Sequence, residues 1–207
     1  MFKQELFEFI DKAGEERHVV EVAKGDKYKG VIVLKQMNNC NIYFEVRVHE
    51  GAQAELFVLA IGAGTEKGQL RTAMVHLEPN TRANVQVKAV LDGQSKLTFD
   101  GLIKIVPHAQ KTQSYLREDV LLLSKDAQSL GKPQLEIEAN DVKASHGSTI
   151  GRINEEQLFY LGSRGVERED SKNIIVQGFV DSILMQILNV KAQNPNQVQN
   201  PNAKFGI

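Results

Sequence analysis

The feature that most constrains this chain is a period-two alternation that returns every 28 residues. Ile42, Phe44, Val46 and Val48 alternate with Tyr43, Glu45, Arg47 and His49. Val85, Val87, Ala89 and Leu91 alternate with Asn84, Gln86, Lys88 and Val90, and Leu97, Phe99, Ile103 and Ile105 flank Gly101 in the same rhythm. Side chains of a strand point alternately to opposite faces, so each run reads as a strand with one face buried. Gly51, Pro79 and Pro107 each follow such a run, 28 residues apart (79 − 51 and 107 − 79). Gly62-Ala63-Gly64 and Asp92-Gly93 fall between them. A fixed period of two strands and two turns suits stacked units that cannot bury their apolar face alone. Regular strands in a sandwich or barrel would satisfy the same spacing.

The flanks read differently. Phe2, Leu6, Phe9 and Ile10 share one face of a short N-terminal helix, within a segment 1–18 that covers the main body. Strands are expected over 19–150, without a long helix. Leu135, Ile137 and Ala139 alternate with Glu136, Glu138 and Asn140, ahead of a polar loop from Asp141 to Ser148. A helical region follows over 151–190. Asn154 is a good N-cap, Glu155 and Glu156 suit the positive helix end, and Gln157 can reach back. A second helix from about Glu167 to Asn189 carries a wide apolar stripe, with Ile175, Phe179, Ile183 and Ile187 beside Val176, Val180, Leu184 and Leu188. The tail over 191–207 repeats QNPN and reads as disordered.

Composition narrows the chemistry. Lys and Arg number 25 and Asp and Glu 26, a net charge of −1 that gives no basic excess for nucleic acid. No run of eighteen apolar residues suggests a membrane span, and the charged N-terminus is unlike a secretory signal. A cytosolic location is expected. The single Cys40 excludes a disulfide framework and a CxxC metal site, and reads as a small buried or edge residue. No GxSxG, Walker lysine or GxGxxG motif is present, so neither acyl transfer nor ATP hydrolysis is expected. The chain reads as a non-enzyme. The neighbouring carboxylates Glu118-Asp119 and Glu169-Asp170 read as solvated charge. His18, His49, His76 and His108 read as surface or edge residues. His146, in a Ser-His-Gly-Ser loop, differs, because a neutral imidazole is a good iron ligand.

The run DVKASHGSTIGRINEEQLFYLGSRG resembles the signature of the SufB/SufD family of iron–sulfur cluster assembly scaffolds. The resemblance extends back through FDGLIKIVPHAQKTQSYLREDVLLLSKDAQSLGKPQLEIEAND and forward into NIIVQGFVDSILMQI. It implies a right-handed parallel β-helix, here with a short N-terminal helix and a C-terminal helical pair, in a member shortened at its N-terminus. It also implies a scaffold subunit that pairs with a SufB-like subunit or a second copy of itself and docks a SufC-type ATPase. His146 then becomes a candidate cluster ligand at the subunit interface. Ala144 stands where many members carry cysteine, and Gly147 after the histidine fits the SufD-like pattern. No cofactor is expected to be held stably by this chain alone; a transient iron–sulfur cluster would be shared with a partner. The segment FYLGSRGVEREDSKNIIVQGF resembles the ATPase-contacting part of the family, which makes Phe159, Tyr160, Arg164, Gly165 and Phe179 candidate partner-binding residues. The alternative is a β-solenoid structural or binding protein with no metal role.

Overall fold

The computed structural model describes residues 1–193. Eleven strands precede two helices: β1 Phe2–Ile10, β2 Gly14–Val22, β3 Lys27–Lys35, β4 Asn38–Val48, β5 Gln53–Gly62, β6 Lys67–His76, β7 Arg82–Leu91, β8 Lys96–Ile105, β9 Thr112–Leu122, β10 Gln128–Ile137, β11 Val142–Arg152, α1 Glu155–Ser163 and α2 Arg168–Gln193. Odd strands form one parallel sheet in the order β1-β3-β5-β7-β9-β11, and even strands form the other, β10-β8-β6-β4-β2. Each coil therefore gives one strand to each sheet. The result is a β-solenoid of about 5 turns with its core between the sheets. Pairing steps lengthen along the chain, from Phe2 on Lys27 to Arg82 on Gln113.

Corners stack as the strands do. The Gly51 N–H donates to the Pro79 carbonyl (3.1 Å), and the Asn80 N–H donates to the Gln110 carbonyl (2.9 Å). Glycine is required at Gly93, where φ is +64° and a Cβ would lie 2.8 Å from the Gly64 carbonyl oxygen.

The N-terminal segment is a correction. Residues 2–10 form strand β1, not a helix, and pair in register with β3. Phe9 is buried in the lumen with Phe7 packed beside it, while Leu6 faces the other way, into the contact with α2. The odd-strand sheet is covered on both faces, so apolar residues appear in both phases and imitate a helical spacing.

α2 lies across the outer face of the odd-strand sheet. Val176, Val180, Ile183, Leu184, Ile187 and Val190 are buried with Val31, Val33, Leu59, Val90 and Leu121. The Lys29 ammonium donates to Gln186 Oε1 (3.0 Å), and the Lys88 ammonium donates to the Phe179 carbonyl and lies over its ring. Leu188, expected within the stripe, is exposed. Arg168–Val190 is long and apolar enough to cross a membrane by length and composition, against the expectation from apolar runs. In this fold its buried stripe is spent on the solenoid. The tail expected to be disordered lies outside the described residues.

Truncating Ile183 to Ala should lower unfolding stability by about 2–5 kcal/mol, because the cavity opens between two packed elements. Chemical denaturation compared with the exposed-site variant Met185→Ala checks this.

Candidate functional site

The segment that carries His146 lies on the last coil. Its segment 141–148 is not a loop, as the sequence suggests. Val142–Arg152 is a strand that pairs with β9 over its whole length, with His146 opposite Leu116 and Ser148 opposite Glu118. Thr112, Ser114, Leu116, Glu118 and Val120 are the buried phase of β9. Paired residues of parallel strands share a face, so Val142, Ala144, His146, Ser148 and Ile150 face the lumen. No further rung follows them among the described residues, and His146 and Ser148 are exposed. Little of β11 is buried, so its sequence shows no strong alternation.

His146 ends a column that runs through Leu56, Val85 and Leu116. The adjoining column runs Phe7, Ile32, Val58, Val87, Glu118, Ser148. It is apolar for four rungs and then becomes carboxyl and hydroxyl. Glu118 is 1% exposed, so its reading as solvated charge is corrected. The Ser148 hydroxyl donates to Glu118 Oε2 (2.9 Å), while Oε1 is buried with no partner. Burial pushes the carboxyl pKa above the ordinary range. Leaving such an oxygen unpaired costs about 1–3 kcal/mol. Gly131 on β10 makes the room, since a Cβ there would lie 2.1 Å from Oε2. The alternating phase of β9 was the signal in the sequence, with Glu118 standing between inward Leu116 and Val120.

His76 is a second correction. It is fully buried rather than at the surface. Its Nδ1 lies 2.8 Å from Thr81 Oγ1 and its Nε2 3.0 Å from Ser114 Oγ, so both ring nitrogens are partnered across two coils. Burial lowers its pKa to about 4. Cys40 is buried in β4, where burial raises its thiol pKa, and β6, β8 and β10 separate that strand from the end of the sheet. Among the described residues, no three His, Cys, Asp or Glu side chains gather to hold a metal ion.

The candidate partner residues cluster on the helical pair. Asn154 caps α1 by accepting from the Glu156 N–H (2.8 Å), as expected. Phe159 is 79% exposed and Tyr160 is exposed beside it, with the Arg164 guanidinium over the Tyr160 ring at 5.5 Å. Gly165, at φ +85°, ends α1: its N–H donates to the Gly162 carbonyl and that of Val166 to the Leu161 carbonyl. The Ser163-Arg164-Gly165 turn thus has a structural duty of its own. Arg168 reaches Glu155 with two contacts of 2.9 and 3.0 Å and ties the helices together. Phe179 is half-buried against Lys88.

Residues 16–179 match the family described as SUF system FeS cluster assembly, SufBD core domain. The chain belongs to the SufB/SufD family. It is 37% identical over 130 residues to the iron–sulfur cluster assembly protein SufD of Escherichia coli K12, covering 63% of this chain and 31% of that protein. It is 29% identical over 142 residues to a SufBD family protein of Synechocystis, covering 69% and 30%. With a Mycobacterium tuberculosis H37Rv family protein the identity is 30% over 138 residues, covering 67% and 16%. The chain thus spans a third or less of the length of these relatives. The SufD-like features of the sequence, His146 followed by Gly147, lie on the last strand of the solenoid.

Stability should fall with acidification because of His76. The unfolded imidazole takes its proton near pH 6.5 and the folded one only near pH 4. Between these values the unfolded state binds more protons, so roughly 3 kcal/mol is lost across the window. Urea unfolding at successive pH values should show this slope in the parent and a reduced slope in His76→Gln.

Proposed function

We propose that this SufB/SufD family chain is a non-catalytic scaffold subunit of a SUF-type iron–sulfur assembly complex. It pairs through the open end of its solenoid with a SufB-like subunit or a second copy, and it receives a SufC-type ATPase on its helical pair. The observation that carries the reading is the uncovered last coil. Leu135, Ile137 and Ile150, in the lumen-facing phase of β10 and β11, are exposed beside His146. Solenoid ends that expose core-phase side chains need a cover. A like solenoid end supplies one by continuing the rungs.

His146 is the iron-facing residue in this reading. Its imidazole has no hydrogen-bond partner among the described residues, so either nitrogen is free for iron or for a cluster carried between the subunits. Phe159 and Tyr160 offer the ATPase an exposed aromatic surface on the helix that the Arg168–Glu155 pair links to α2. The chain itself turns nothing over, and nucleic acid and membrane have no part in its work, which we place in the cytoplasm.

Co-expression with SufB-like and SufC-like proteins, followed by anaerobic purification and visible absorption, tests this. A brown complex that loses most of its absorption in His146→Ala is the expected result. A colourless complex removes the metal role and leaves a binding protein. Failure to assemble removes the scaffold reading.

A further inference from the structure

α2 covers the outer face of the odd-strand sheet over Val31, Leu59, Val90 and Leu121. Nearer the strand starts, a groove of about 580 Å³ runs across that sheet from Phe2 on the first coil to Ser145 on the last. Lys27, Gln53, Arg82, Gln113 and Lys143 pair rung upon rung along it, and all five are exposed. The residues that follow them, Tyr28, Ala54, Ala83, Ser114 and Ala144, take the inward phase, so the five form one outward column. Lys27, Arg82 and Lys143 have no carboxylate within ion-pair distance among the described residues. Glu55, the carboxylate that lines the groove, is held by Lys29 at 3.7 Å. The even-strand sheet contrasts with this. There Arg17, Arg47, Arg71, Lys104 and Lys132 each meet a carboxylate on their own or an adjoining strand. The outward column of the odd-strand sheet thus carries three unneutralised cations, on alternate rungs, with an amide on each rung between.

Spacing decides what such a column takes. Adjoining strands lie about 4.8 Å apart, so cations on alternate rungs stand roughly 10 Å apart along the solenoid axis. In a polyproline II chain every third residue returns to one face, at about 9.3 Å. A β-strand brings every second residue to one face, at about 6.7 Å. A helix needs seven residues to cover about 10.5 Å, and it keeps its backbone hydrogen bonds to itself. Polyproline II has no internal hydrogen bonds, so its backbone groups stay free. Gln53 and Gln113 offer carboxamides that donate and accept between the cations. Phe2 and Tyr115 are exposed in the same groove, and aromatic rings are what proline-rich segments pack on. We infer that this groove binds an acidic peptide of a partner protein, in polyproline II form with a carboxylate at every third residue. Lys27, Arg82 and Lys143 take three successive carboxylates, and the two glutamines take the backbone between them. The groove faces away from the lumen, so this binding does not depend on what covers the last coil.

The probe is fluorescein-labelled Glu-Pro-Pro-Glu-Pro-Pro-Glu, followed by fluorescence anisotropy against the full chain at low salt. Saturable binding that weakens as salt rises is expected. Lys27→Gln, Arg82→Gln and Lys143→Gln should each weaken it about threefold, as loss of an exposed ion pair does. The triple variant should lose roughly thirtyfold, because effects at sites about 10 Å apart add. All four variants should melt with the parent, since these side chains have no partner to lose. Lys96→Gln, which removes an exposed cation from the even-strand sheet, should bind as the parent does. Glu-Pro-Glu-Pro-Glu carries its glutamates at the wrong interval and should bind about tenfold more weakly, the loss of two of three pairs. Absence of binding, equal affinity for the two peptides, or unchanged affinity in the triple variant overturns the inference. So does a thymidine oligonucleotide that binds more tightly than the peptide, which would make the column a nucleic-acid surface.

Discussion

Everything in this molecule depends on parallel strands laid one coil upon the next. Each coil presents a narrow apolar inner face and a ladder of backbone donors and acceptors. Neither is satisfied until another coil arrives. Inner columns therefore repeat one kind of residue, as Phe7, Ile32, Val58 and Val87 do, and corners repeat one kind of backbone bond, as Gly51 to Pro79 and Asn80 to Gln110 do. Adding coils lengthens the core without closing it. The two ends keep the demand that every internal rung has met.

The sequence displayed the interior of this arrangement and hid its edges. Strands β4, β7 and β8 alternate cleanly because one face is sealed in the lumen. The spacing in residues 2–10 suggests a helix because Leu6 serves the α2 contact while Phe7 and Phe9 serve the lumen, and burial on both faces erases a period of two. The segment 141–148 suggests a loop for the opposite reason: its last-rung position leaves little to bury on either face. His76 shows a different limit. Its partners Thr81 and Ser114 are 5 and 38 residues away, and only stacking of successive coils brings them to one imidazole. Glu118 lay within reach of the pattern, since its phase in β9 is that of Leu116 and Val120. The adjacency of Asp119, which points outward, concealed it.

α2 shows how a single helix can satisfy a surface the solenoid creates. An all-parallel sheet is comfortable only when both faces are covered. The odd-strand sheet carries Val31, Val33, Leu59, Val90 and Leu121 on its outer side, and α2 covers them. A third of its apolar Arg168–Val190 window is buried in that task, while Ile174, Met185 and Leu188 stay exposed. Arg168 and Glu155 link α1 to α2, and Phe159 and Tyr160 stand exposed on α1.

The end of the solenoid therefore differs from a frayed edge. A fold that only needed to stop would place charges or a capping element over its last rung. This chain instead changes the character of its inner columns while the strand pairing continues unbroken through Arg152. Leucine gives way to histidine, and valine gives way first to glutamate and then to serine, with Gly131 yielding space on the facing wall. The exposed isoleucines and leucine around them favour contact with another protein, while the polar columns between them leave unmet hydrogen-bonding and ligating capacity. A chain that covers this end must bury the exposed apolar side chains and these polar groups together, and so must bring hydrogen-bonding partners for the polar ones.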